Sequence, residues 1–167
     1  SSLVGSEMCI RDSAETPEWE IINSGSVDGS AQLRANFGGV FKDGIFHCLG
    51  GTDYGETMFI MRYTQWDAAS WECLRNERIQ NRAFMAADLT VDPTTDRIYG
   101  YFSNEEGDGQ EFGWIEYDNL LRHTISVEDD EKMTAIAADA AGQIFSLSLD
   151  GNFYRIDKNT GDKTFVG

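Results

Sequence analysis

The chain has 167 residues, 41% hydrophobic and 12% aromatic, which is enough for one sizeable core and unlike a disordered composition. Thirteen basic residues against 29 acidic ones give a net charge of −16, which repels nucleic-acid phosphates and anionic membrane surfaces; no run approaches the roughly 18 apolar residues of a membrane-crossing helix. Nucleic-acid binding and membrane insertion are therefore not expected, and the acidity reads first as a solubilising surface.

Leu3 to Asp12 reads LVGSEMCIRD, followed by Ser13. This stretch resembles the translated read-through of a transposase-type sequencing adapter. The resemblance implies that residues 1–13 form no domain, that Met8, Cys9 and Ile10 carry no function, and that the natural N-terminus, any signal peptide and earlier repeats lie outside the sequence. Residues 14–35 are a lead-in segment. Its one apolar run, Trp19–Ile22, ends in the turn-rich Asn23-Ser24-Gly25-Ser26 and predicts a single strand.

From Asn36 short apolar runs alternate with turn signals, each run too short for a helix. The first unit, about 36–80, predicts strands over Phe37–Phe41, Ile45–Leu49, Met58–Tyr63 and Ser70–Leu74, with a long polar loop before Met58. A second unit, about 84–127, predicts Ala86–Val91, Ile98–Phe102, Phe112–Tyr117 and Arg122–Val127; its Asp92-Pro93 pair initiates a turn because proline presets the turn dihedral and donates nothing to a ladder. The third unit, Met133–Gly167, is the most compact, with turns at Ala140-Ala141-Gly142, Asp150-Gly151 and Asn159-Thr160-Gly161.

Aligned on their second strands, the units match Ile45-Phe46 with Ile98-Tyr99 and Ile144-Phe145. On their third strands they match Met61-Arg62-Tyr63 with Ile115-Glu116-Tyr117 and Tyr154-Arg155-Ile156. Small residues recur in the first strands, Gly38-Gly39, Ala86-Ala87, and Ala135 with Ala137-Ala138, as a position crowded toward a central axis requires. Four-stranded units at a period of roughly 40 to 50 residues are the signature of propeller blades. The expected fold is all-β: a partial β-propeller of about three four-stranded antiparallel blades over 36–167, its ring not closed because propellers have roughly four to eight blades.

AADLTVDPTTDRIYGYF and GQIFSLSLDGNFYRIDKNTGDKTFVG resemble blade repeats of the quinoprotein-like and NHL-like propellers. YTQWDAASWECL, DLTVDPTTDRIYGYFSN and the last unit together are similar to the propeller region of secreted multidomain proteins of Bacteroidales-type bacteria. The resemblance implies an extracellular or cell-surface location. It is specific for fold and weak for activity, since propellers host many unrelated functions.

Propeller topology places the second-to-third-strand loops and the blade connectors on one rim. Loop length varies there, from Gly50–Thr57 and Ser103–Glu111 down to Asp150-Gly151, and insertions confined to one face mark the binding face of a repeat protein. The candidate ligand-binding residues are Asp53, Tyr54, Glu56, Glu105, Glu106, Asp108 and Glu111, with Glu128 to Glu131 adding acid in a connector and Arg75–Arg82 forming a partly basic one. Such a rim attracts calcium or a cationic partner, or is a set of solvated acidic loops, which is the favoured reading. Among the aromatics, Tyr54 at a loop tip suits sugar stacking and Trp66 lies beside a turn, while Trp71, Trp114 and Phe153 read as strand residues in the core between blades.

Catalytic signals are thin. His47 and His123 lie in different units without a nucleophile elbow, paired metal ligands or a phosphate loop. His47 adjoins Cys48, but neighbours in a strand point to opposite faces. Of the acids on or ending first strands, Asp88, Asp92 and Asp139, none is joined by a histidine. Asp157–Asp162 lacks the glycine position and terminal Glu of a calcium loop and predicts a turn. Cys48 and Cys73 fall on strands two apart in one sheet, a poor disulfide geometry, and are expected as buried free thiols. The expected function is a non-catalytic binding or scaffold module recognising protein or glycan, without metal or cofactor, whose apolar end blades self-associate. The alternative is a fragment of a propeller hydrolase or quinone-dependent dehydrogenase with its catalytic groups on other blades.

Overall fold

The computed structural model describes residues 35–54, 58–79, 86–104, 108–128 and 131–167. The adapter-like stretch and the Trp19–Ile22 run lie outside the described residues. Among the described residues twelve strands form three antiparallel sheets with simple up-and-down order. Blade 1 holds β1 (Ala35–Lys42), β2 (Ile45–Tyr54), β3 (Met58–Asp67) and β4 (Cys73–Ile79). Blade 2 holds β5 (Ala86–Asp92), β6 (Arg97–Ser103), β7 (Gln110–Glu116) and β8 (Leu121–Glu128). Blade 3 holds β9 (Met133–Ala138), β10 (Ile144–Ser148), β11 (Phe153–Ile156) and β12 (Lys163–Phe165).

The first strand of each blade packs against the first strand of the next, β1 on β5 and β5 on β9, so the sheets radiate from a shared line. Three blades in this arrangement are a partial β-propeller, and no fourth sheet is present among the described residues. Close approach along the line is visible at Gly38, held at φ 124°, where a Cβ would fall 2.9 Å from Leu89 Cγ of the next inner strand. Ala87 and Ala137, by contrast, are exposed and relieve no crowding.

Two cores lie between the blades. Leu49, Met61 and Tyr63 of blade 1 pack on Leu89, Ile98 and Phe102 of blade 2. Tyr99, Tyr101 and Phe112 of blade 2 pack on Met133, Ile136 and Ile144 of blade 3. The middle blade is therefore covered on both faces, which is why β6 carries a continuous buried run from Ile98 to Phe102. In β10 Ile144, Ser146 and Ser148 are buried while Leu147 between them is exposed.

The ladders correct the alignment of the units. Ile45 pairs with Lys42 directly after the two-residue Asp43-Gly44 turn, as Arg97 pairs with Asp92. Val40–His47 is thus the counterpart of Thr90–Tyr99 and Ala137–Phe145. Blade 1 is displaced by one residue, so His47 and Leu49, not Phe46 and Cys48, occupy the places of Tyr99 and Tyr101. A one-residue slip exchanges the two faces of a strand, and the shorter first turn produces it here. On the third strands Tyr63, Phe112 and Phe153 correspond, opposite Leu49, Tyr101 and Leu147. Tyr117 is therefore not a repeat of Tyr63 but part of the turn after β7.

Blade 1 also departs from expectation in its limits. Most of the predicted Gly50–Thr57 loop is strand, since β2 runs to Tyr54 and pairs with β3 from Met58. The fourth strand begins at Cys73, not Ser70, and Arg75–Ile79 are strand, not connector. Asp67 Oδ1 accepts from the backbone N–H groups of Ala69 and Ser70, and Trp71 adopts φ 57°, which holds the chain in a turn before β4. Trp71 is consequently no interblade core residue: it packs edge-on to Phe41 and Phe46 on the outer face of blade 1. Phe153 is likewise outside the core, on the uncovered face of blade 3. Neither Cys48 nor Cys73 forms a disulfide, and only Cys48 is buried, because β4 is an outer strand.

Candidate functional site

The loop rim is stepped. From the equivalent positions Phe46, Ile98 and Ile144, the central hairpins run for nine, six and four cross-strand pairs in blades 1, 2 and 3. At about 3.3 Å per residue the β2–β3 hairpin reaches about 17 Å further up the rim than β10–β11. Among the described residues the paired backbone of β1 reaches Gly51 and that of β4 reaches Met61, and Thr52–Tyr54 pairs with Met58–Ile60 as a two-stranded ribbon. Asp53 and Tyr54 belong to this ribbon by backbone, paired with Phe59 and Met58. Glu56, Glu105, Glu106, Asp129 and Asp130 lie outside the described residues.

Four of the acids on this rim, Glu111, Asp108, Glu128 and Glu131, have internal partners. Glu111 Oε2 accepts from Arg122 Nη2 and from Thr124 Oγ1, both at 2.7 Å. Asp108 Oδ1 accepts from Asn104 Nδ2 at 2.7 Å, and Asn104 Oδ1 accepts from the N–H groups of Asp108 and Gly109, which closes the β6–β7 loop. Glu128 is buried and paired with Lys163 of blade 3 at 2.6 Å. Glu131 accepts from Asn152 at 2.8 Å. The structure thus separates the four described candidates: Asp53 and Tyr54 share the ribbon, while Asp108 and Glu111 sit on blade 2 in loop-closing and strand-bridging roles.

On the opposite rim a cleft of about 390 Å³ opens between blades 1 and 2, its lining including Lys42, His47, Gln65, Asp96, Tyr117 and Asp118. Lys42 Nζ reaches Asp43 at 2.9 Å and Asp96 at 2.8 Å, joining the first turns of the two blades, and these carboxylates raise its pKa. At the back of the cleft the Tyr117 ring lies between His47 and Tyr63, with centroids 4.5 and 4.7 Å away. Arg75 clamps the turn that carries Tyr117, donating to the carbonyls of Tyr117 and Asp118. Its guanidinium lies 5.2 Å from the Tyr63 ring centre.

Protonation in this cluster follows from its hydrogen bonds. Gln65 Nε2 donates to the Tyr63 hydroxyl at 2.7 Å, which leaves the hydroxyl hydrogen for His47 Nδ1, also at 2.7 Å. The imidazole proton then sits on Nε2. Burial, reinforced by the nearby Lys42 charge, lowers the His47 pKa and keeps the ring neutral at pH 7. Burial raises the Tyr63 and Tyr117 phenols, so neither is an anion. The Tyr117 hydroxyl is sealed from solvent without a hydrogen-bond partner. Sequence reasoning missed Gln65, Tyr63 and Tyr117 as a unit, because only the corrected register brings them to one face.

The second histidine is held by Trp114 and Glu116, which also line this cleft. His123 stacks on Trp114 with ring centres 3.9 Å apart and bonds Glu116 Oε1 at 2.9 Å. Arg97 lies 4.2 Å from the Trp114 ring centre. Trp114 packs against the blade 2–blade 3 core, whereas His47 faces blade 2 from blade 1, so the two histidines do not converge. Asp88 and Asp92 serve the blade 2–blade 3 contact: Asp88 Oδ2 accepts from Ile136 N–H, and Asp92 pairs with Lys158. Asp139 caps its own turn, accepting from the N–H groups of Ala141 and Gln143. Asp157–Asp162 forms the β11–β12 turn, closed by Gly161 N–H on the Asp157 carbonyl. No group of three or more His, Cys, Asp or Glu side chains is placed to hold a metal ion among the described residues.

No family model matches the sequence, and no curated protein matches it. Among solved structures the chain is similar to the β-propeller domain of the Trilobed protease from Pyrococcus furiosus, described as having an open velcro topology. The TM-score is 0.49 at 13% sequence identity, over 80% of this chain and 41% of that one. The chain therefore spans less than half the length of that structure.

Proposed function

We propose that the protein is a non-catalytic binding module of a secreted or cell-surface bacterial protein, and that it recognises a protein or glycan ligand through the loop rim. The observation that carries this reading is the stepped rim, on which the blade 1 hairpin extends past the described parts of its flanking ladders while the blade 3 hairpin closes after four pairs. A two-stranded ribbon contributes little to a core by itself, so its length is better accounted for by contact with a ligand. Asp53 and Tyr54 are its recognition residues: an aromatic platform for a sugar ring or apolar side chain beside a carboxylate that accepts hydrogen bonds. Glu111 acts by holding β7 to β8 through Arg122. The location rests on the resemblance of the repeats to secreted propellers.

A glycan array probed with the protein tests the sugar arm. Binding that is lost in Tyr54→Ala with an unchanged melting temperature supports it. A blank array ends it and leaves a protein ligand. Titration with calcium tests the acidic rim separately: no heat and no shift in melting temperature dispose of a cation site.

A further inference from the structure

The outer face of blade 3 has the register of a covered interface. Phe145, Leu147 and Phe153 occupy the positions of Tyr99, Tyr101 and Phe112 in blade 2. Those three are at most 1% exposed because blade 3 covers them, whereas Leu147 is 40% and Phe153 38% exposed. Phe145 and Phe153 stack on each other at 5.5 Å, so the apolar surface is one patch, not scattered residues. The complementary face, the one a blade turns toward its predecessor, is presented by blade 1. There Phe46 and Trp66 stand where Ile144 and Ile156 meet blade 2, beside Phe41 at 59% exposure. Cys48 and Thr64 on that face are already buried, so the uncovered part lies toward the turn rim.

From this equivalence we infer that the outer face of blade 3 docks onto the outer face of blade 1 of a second copy of this chain, head to tail, repeating the contact of blade 2 with blade 3. The contact is heterologous: two different faces meet, so the assembly retains one free face of each kind unless the ring closes. Burying Leu147, Phe153, Phe41 and Phe46 supplies the apolar driving force, and the ladder partners of Phe145 and Leu147 on that face, Ala135, Ala137, Phe153 and Arg155, include no acid. The inference is independent of the ligand proposed for the loop rim.

Sedimentation velocity over a range of concentrations tests it. The intact chain is expected to associate. Leu147→Asp with Phe153→Asp on one side, or Phe41→Asp on the other, should each raise the dissociation constant by at least about tenfold. Both sets change exposed residues, and unchanged circular dichroism shows that the sheets persist. Mixing the two variants should restore one good interface per pair and give a heterodimer that grows no further. A chain that stays monomeric at all concentrations overturns the inference, and so does an association that Phe41→Asp leaves intact, the mark of blade 3 pairing with itself.

Discussion

Lys158, on the turn before the last strand, places its Nζ 2.6 Å from Oδ2 of Asp92, a carboxylate at the end of the blade 2 inner strand with no exposed side-chain surface. The same ammonium donates to Thr94 Oγ1 and to the Gly142 carbonyl. Burial works against the Asp92 charge, but the donors on it, Lys158, Thr95 and Thr94, outweigh burial and hold its carboxyl well below the usual carboxylate range. One side chain from the outermost hairpin of blade 3 thus fastens it to the turn of blade 2. Lys158→Met leaves a sealed carboxylate with only its threonine and amide donors, and should lower unfolding free energy by about 2 kcal/mol in urea titration.

Acid should destabilise the protein in two steps. His47 has a lowered pKa in the fold, so its contribution is complete above about 6.5, the unfolded value, and declines as pH falls through it. Asp92 is also lowered, so its contribution is complete above about 3.9 and declines as pH falls below that. Melting temperature measured from pH 8 to 3 should show both, with His47→Gln removing the first step and Asp92→Asn the second.

Two glycines at similar backbone angles separate strain from collision. Gly142 has φ 76° and Gly151 φ 87°. A Cβ on Gly151 meets open space, so Gly151→Ala should cost about 1 kcal/mol, the left-handed penalty alone. A Cβ on Gly142 falls on Asp92 Oδ1 and Thr94, so Gly142→Ala should cost about 3 kcal/mol and disturb the Lys158 contact. Equal costs in chemical denaturation would show that the turns of blades 2 and 3 do not press together.

Tyr117 divides ring from hydroxyl. Its ring fills the space between His47 and Tyr63, and its hydroxyl is buried without a partner. Tyr117→Phe should leave stability unchanged or raise it by up to about 1 kcal/mol, whereas Tyr117→Ala should cost about 3 kcal/mol.

Gln110 behaves as a piece of strand. Its amide accepts from Met133 N–H at 2.7 Å and donates to the Met133 carbonyl at 3.0 Å, carrying the ladder from blade 2 into blade 3. Gln110→Leu strands both backbone groups and should cost about 2 kcal/mol, with protection of the Met133 amide lost in hydrogen exchange.

Much of the fold was legible because turn chemistry is local. Asp92-Pro93, Asp150-Gly151 and Asn159-Thr160-Gly161 each mark a turn that the structure keeps, and the strands of blades 2 and 3 fall within a few residues of expectation. Blade 1 was read less well. Gly50, Gly51, Thr52 and Asp53 have the composition of a loop, yet continue as strand because Met58–Arg62 pairs with them across ten-residue strands. For the candidate site, the variable rim and its acids were visible as loop composition, but the ion pairs of Glu111 with Arg122 and Glu128 with Lys163 join strands that only the paired ladders and packed blades bring together.

The sequence by itself determined the all-β class, the count of three four-stranded units and the position of most turns, because each depends on residues within a few places of one another. Which face of each strand is covered was decided by tertiary structure. The Asp43-Gly44 turn is shorter than its counterparts, and the one-residue slip in the aligned strand exchanges Phe46 and Cys48 for His47 and Leu49 against blade 2. Alternation in a strand has period two, so local pattern states that there are two faces; only a neighbouring blade says which of them is the core.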